Sequence, residues 1–139
     1  MKKLLLTLVL GLSFTAYGHV GGHHKENIFT PKYGGTLAKV ENPSSDALIA
    51  ELAKDGEKGL FLFFYDRYMK QVSPDAKVKV TGKITSGRGK RAQNIDVEFK
   101  NAKNKYTLTL PKIKKRPYSI MIEVNQSGKK SMVSFQNID

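Results

Sequence analysis

Leu60-Phe61-Leu62-Phe63-Phe64-Tyr65 decides how the rest of this chain is read. The run is apolar at every position and rich in aromatic side chains, and it ends on Asp66. A stretch this short, with no polar face, reads as a central strand covered from both sides rather than as a helix. Asp66 to Lys70 then turns the chain.

Working outward, the same kind of signal recurs. Towards the C-terminus, Val78, Val80 and Ile84 alternate with Lys77, Lys79 and Lys83, an apolar-in, lysine-out strand in which Gly82 is expected to mark a bulge. Ser86-Gly87-Arg88-Gly89-Lys90-Arg91 is a basic, glycine-containing loop. Ile95, Val97 and Phe99 alternate next, Asn101 to Asn104 turns, and Tyr106, Leu108 and Leu110 follow. Pro111 to Pro117 is a second basic connection. Tyr118 to Val124 and Lys130 to Phe135 close as a hairpin about Ser127-Gly128.

Towards the N-terminus, Gly35 to Glu41 reads as a first strand, broken by Asn42-Pro43-Ser44-Ser45. Asp46 to Lys54 fits two descriptions. Ser45 caps a short helix with Leu48, Ile49 and Leu52 at helical spacing, or Leu48, Ala50 and Leu52 alternate as a strand. The strand is favoured in a chain otherwise made of strands. Short runs spaced by turn signals give an all-β fold, an immunoglobulin-like β-sandwich of seven or eight antiparallel strands with no helix.

The first residues are of a different kind. Lys2 and Lys3 precede the apolar run Leu4 to Leu12, and Ala16 and Gly18 are small residues placed for a cut before His19. That is the pattern of a secretory signal peptide, too short in its apolar part to span a membrane comfortably. The expected organisation is a signal peptide over 1–18, a flexible histidine-containing arm over 19–32 and a β-sandwich domain over 33–139. The mature chain is then periplasmic or secreted and has 121 residues, enough for one core.

Composition narrows the function. The 139 residues include 24 Lys and Arg against 12 Asp and Glu, and no cysteine. Without cysteine there is no disulfide, thiolate metal site, cysteine nucleophile or lipoprotein anchor. The positive charge favours anionic polymers, lipid headgroups or nucleic acid, and for an exported chain envelope polymers and membrane surfaces come before DNA. No nucleic-acid-binding motif is present, so nucleic acid is not the expected partner.

All three histidines, His19, His23 and His24, fall in the arm. If cleavage frees His19, its α-amine and imidazole chelate together, and His23 and His24 supply further nitrogens. Such ligands suit Cu(II), Ni(II) and zinc, with Cu(II) favoured intrinsically. Among the methionines, Met69 in the Asp66–Lys70 turn is the better Cu(I) thioether candidate. Met121, between Ile120 and Ile122, reads as core packing or a cross-strand contact. Phe61, Phe63, Phe64 and Tyr65 read as core; Tyr33, Tyr68 and Tyr118 read as partly exposed.

Tyr33-Gly34-Gly35, the strand ending near Glu41, the aromatic strand Leu60 to Asp66, and Val72 with Ala76-Lys77-Val78 together resemble a group of small periplasmic β-domains found beside copper- and heavy-metal-efflux components. In those a Gly-Gly near the mature start precedes a strand, and an LYLYD-type segment follows. The resemblance implies a metal-related periplasmic role and metal-efflux components as partners. Many members carry a histidine immediately before the glycine pair, where this chain has Tyr33. A looser likeness is to CopC-type copper carriers, exported β-sandwiches with a first-residue histidine ligand; this chain has no histidine after His24 to complete their site.

Two functions follow as expectations, neither catalytic, since no histidine in the folded part partners a serine and no phosphate loop runs from strand to helix. One is a periplasmic copper or transition-metal accessory with His19, His23 and His24 as ligands. The other is an envelope interaction module whose basic loops, Arg88–Arg91 and Lys112–Arg116, dock on an anionic polymer, a membrane surface or a partner protein.

Overall fold

The aromatic strand sits where its composition demands, in the middle of a layer with neighbours on both edges and both faces. The computed structural model describes residues 29–73 and 75–139, which form nine antiparallel strands. These are β1 (Thr36–Lys39), β2 (Ile49–Asp55), β3 (Gly59–Tyr65), β4 (Gln71–Val72), β5 (Lys79–Ser86), β6 (Gln93–Ala102), β7 (Lys105–Thr109), β8 (Tyr118–Gln126) and β9 (Lys129–Ile138). One 3-10 turn, Gly89–Arg91, lies between β5 and β6, and no α-helix occurs among the described residues. The all-β antiparallel sandwich expected from the sequence is what the chain forms.

The strand order β1-β2-β3-β7-β6-β5-β8-β9, with β4 on β3, folds into two layers. The long strand β6 belongs to both: its first part pairs with β5, and Lys100 to Ala102 pair with β7. On the other side the chain just past β1 reaches β9, where Glu41 and Met132 exchange backbone hydrogen bonds of 2.7 and 3.0 Å. The result is a sandwich nearly closed into a barrel, with few free edges.

Alternation along β3 feeds two clusters. Leu60, Leu62 and Phe64 point between the layers, where they meet Val80, Ile84, Ile120 and Phe135 in the main core. Phe63 and Tyr65 point the other way and, with Ile49 and Ala53 of β2, build a smaller cluster outside the first layer. Each fully covered side chain contributes about 1.5–3 kcal/mol from its apolar area.

The ambiguity over Asp46–Lys54 resolves as strand. Ser45 caps a turn, its Oγ accepting the Ala47 N–H at 3.2 Å, and β2 then pairs with both β1 and β3. Strand pairing on two edges outweighs a single helical cap.

Two expectations are corrected, and the alternatives for Met121 are decided. Gly82 is no bulge: its pairing with Val97 and Ile122 is in regular register, and the irregularity lies between Tyr118 and Ile120. Gly82 is small because a Cβ there would meet Val97 Cγ2 at 3.1 Å and Ile120 Cδ1 at 3.3 Å. Tyr118 is buried, not partly exposed. Met121 is half exposed on the outer face opposite Lys83 and Ser134, so it makes cross-strand contacts and no core packing. Met69 packs, partly buried, against the smaller cluster.

Candidate docking surface and arm latch

Antiparallel pairing places the β2–β3 turn, the β5–β6 loop and the β7–β8 connection at one end of the sandwich. The two basic segments are therefore neighbours. They are also joined: Ser86 Oγ donates to the Lys115 carbonyl oxygen at 2.5 Å and accepts the Lys115 N–H at 3.2 Å. Gln93, at the start of β6, grips the same connection with both ends of its amide, accepting the Lys114 N–H at 3.0 Å and donating to the Lys112 carbonyl at 3.4 Å. Ile113 packs against the main core, and Leu110 N–H reaches the Lys58 carbonyl at 2.7 Å.

The backbone is thus used for anchoring, which leaves the side chains outside. Arg88, Lys90, Arg91, Lys112, Lys114, Lys115 and Arg116 are all exposed. Among the described residues the only ion pairs are Lys83–Asp96 and Lys130–Glu123, so none of these cations has a carboxylate partner within 4.0 Å. Arg116 lies over the buried Tyr118 ring at 5.5 Å, a contact that orients the guanidinium without neutralising it. Burial, partly offset by that guanidinium, raises the Tyr118 phenol above its ordinary value. Lys54 and Lys58 line an adjoining groove with Arg116, where Glu57 and Asp139 are the acids.

A second constellation was not anticipated. Glu51 of β2 is fully buried, yet it faces the smaller cluster and not the main core. Its Oε1 accepts the N–H groups of Tyr33 at 2.8 Å and Gly35 at 3.0 Å; its Oε2 accepts the Lys32 N–H at 3.0 Å and the Tyr65 hydroxyl at 2.7 Å. Desolvation pushes its pKa up, but these hydrogen bonds, Tyr65 first, outweigh it and hold the carboxyl below its ordinary value. Burial and the same carboxylate drive the Tyr65 phenol strongly upward, so it stays a donor.

The glycine pair exists for this latch. Gly34 takes φ of +69°, which turns successive N–H groups toward one carboxylate, and a Cβ on Gly35 would lie 2.4 Å from the Leu52 carbonyl oxygen. Tyr33 then stacks on Phe63, centroids 4.0 Å apart and 10° from parallel, and Lys32 Nζ sits 5.5 Å from the Tyr65 ring centroid. Lys32, the last residue assigned to the arm, is therefore tied to the domain. One signal in the sequence pointed here: a lone glutamate on the apolar strand Leu48–Ala53.

His19, His23 and His24 lie outside the described residues, and the structure places none of them. Among the described residues no group of three or more His, Asp or Glu side chains could hold a metal ion. The chain matches no protein-family model, and no curated protein or solved structure matches it significantly.

Proposed function

We propose that this chain is an exported, non-catalytic binding module that docks the basic end of its sandwich on a phosphate-bearing anionic polymer of the cell envelope. The observation that carries this reading is the joining of the two basic loops by Ser86 and Gln93 into one surface of seven cations with no carboxylate partner among the described residues. A lysine or arginine near an anionic surface contributes about 1 kcal/mol. Seven acting together reach about 7 kcal/mol, an affinity on the order of ten micromolar.

The test is binding to long-chain polyphosphate, with anionic vesicles as a second arm. Reversing Lys112, Lys114, Lys115 and Arg116 to glutamate should abolish polyphosphate binding. Reversing four exposed lysines elsewhere, Lys39, Lys77, Lys103 and Lys129, changes net charge equally and should leave most of it. Equal loss from both sets would mean nonspecific charge and end the proposal. Binding to vesicles alone would transfer the role to a membrane surface.

The histidine cluster supports a second, separable role. In this reading His19, His23 and His24 hold Cu(II) or zinc on an arm whose root is fixed by the Glu51 latch, with metal-efflux components as partners. Native mass spectrometry of the processed chain with Cu(II), Cu(I) and Zn(II) tests it. Alanine at all three histidines should abolish stoichiometric metal and leave polyphosphate binding unchanged.

A further inference from the structure

The end of the sandwich opposite the basic loops is not fully filled. Between the β1–β2 connection, the β4–β5 segment and the β8–β9 edge lies a cavity of about 100 Å³. Its wall is aliphatic and aromatic: Val40, Phe64, Val72, Val78 and Val124. A volume of that size exceeds what one or two waters need and suits an organic body of a few heavy atoms.

Polar groups line it as well. Ser131 Oγ donates to the Asn42 carbonyl at 2.9 Å and accepts the Ser44 N–H at 3.1 Å, so it is already satisfied. Tyr106 and Asp75 also line the cavity. Tyr106 is 2 % exposed, packs edge-on against Phe64, and its hydroxyl has no hydrogen-bond partner among the described residues. Burial, and then the nearby Asp75 charge, push its pKa up to about 12, so the phenol keeps its proton. One Asp75 oxygen accepts the Lys77 N–H at 3.0 Å. Since no fully buried side-chain oxygen among the described residues lacks a partner, this unpaired hydroxyl is not sealed off; with the Asp75 carboxylate it gives a largely apolar chamber the polar groups of a small-molecule site.

We infer that this cavity binds a short aliphatic molecule ending in a hydrogen-bond donor, a primary amine or alcohol, with its chain among Val72, Phe64 and Val124 and its head between Tyr106 and Asp75. The hydroxyl of Tyr106 gives a hydrogen bond to the head oxygen or, for an amine head, accepts one, while Asp75 accepts the head's proton. An anionic head is disfavoured because it would face that carboxylate.

Pentylamine, 1-pentanol and pentanoate, titrated separately into the processed chain and followed by amide NMR, test this directly. The amine and the alcohol should give saturable shifts confined to residues 40, 64, 72, 78 and 124 and their neighbours; pentanoate should bind at least tenfold more weakly. Tyr106→Phe keeps the fold and the chamber but removes the hydroxyl, and should weaken the alcohol at least threefold. Val72→Phe fills the chamber and should abolish binding of both. Should no probe saturate, or all three bind alike and ignore Tyr106→Phe, the cavity is a packing defect or a water site and the inference is wrong.

Discussion

Replacing Glu51 by glutamine isolates the latch with almost no change of volume. The carboxylate accepts four hydrogen bonds, two at each oxygen. Glutamine with its oxygen toward Tyr33 and Gly35 keeps two of them, though without the charge. Its amide nitrogen then faces the Lys32 N–H, donor against donor, while Tyr65 recovers a bond only by rotating its hydroxyl to accept. Hydrogen bonds to a charged group are worth about 1.5–3 kcal/mol and an unsatisfied buried donor costs about 1–3 kcal/mol. Allowing for relaxation of Lys32 toward solvent, the expected loss is about 3 kcal/mol, which lowers the Tm of a domain this size by roughly 10 °C or more.

The same substitution has a pH signature. A folded-state pKa below the unfolded value gives stability that is present above the unfolded pKa and lost as pH falls through the folded one. The natural chain should therefore lose this contribution on the acid side of the ordinary glutamate range, and Glu51→Gln should lack that component. Urea unfolding of both chains between pH 3 and 7 (set around the usual glutamate pKa of about 4.3) measures both effects. A destabilisation under about 0.5 kcal/mol, or parallel pH profiles, would show that the four short contacts are energetically idle and refute the reasoning.

The glycine pair should separate by mechanism. Gly34→Ala has open space but an unfavourable φ and should cost about 1–2 kcal/mol. Gly35→Ala drives a Cβ into the Leu52 backbone and should cost more, with loss of Tyr33 amide protection in hydrogen exchange. At the other end, Ser86→Ala removes no charge but cuts two of the four hydrogen bonds that hold the β7–β8 connection, leaving those of Gln93. Affinity for polyphosphate should fall severalfold with the salt dependence unchanged, whereas Lys114→Ala should reduce both; isothermal titration at two ionic strengths separates them.

The fold was legible because strands advertise themselves locally. Leu60–Tyr65 lacked a polar face and proved covered on both, and Val78–Ile84, Ile95–Phe99 and Tyr118–Val124 showed the period of two that a half-buried strand requires. What local pattern misses is which face a residue meets. Met121, flanked by isoleucines, fitted core packing or a cross-strand contact and proves to be the second; Tyr118 read as partly exposed and is buried beneath Arg116. Gly82 carries the same lesson, since only the approach of Val97 and Ile120 explains it. Glu51 stood out only as a lone glutamate on an apolar strand, and the Tyr106–Asp75 pair not at all, for a further reason: each gains its meaning from residues far along the chain, and no spacing rule connects them.

The basic end shows how charge and restraint are apportioned in this chain. Two unit charges roughly 10 Å apart in water repel by about 0.4 kcal/mol, and physiological salt reduces that further. Seven cations on touching loops therefore destabilise by on the order of 2 kcal/mol in sum. The four hydrogen bonds from Ser86 and Gln93, each worth about 1 kcal/mol net, are enough to offset it. They act through backbone atoms of Lys112, Lys114 and Lys115 and leave every ammonium in solvent, so the restraint that holds the loops together does not neutralise them. A surface needed only for solubility would work equally well with its lysines scattered and its loops untied. Here the charges are gathered, held and, among the described residues, left without carboxylate partners, an arrangement in which an anionic ligand would relieve the repulsion as it bound.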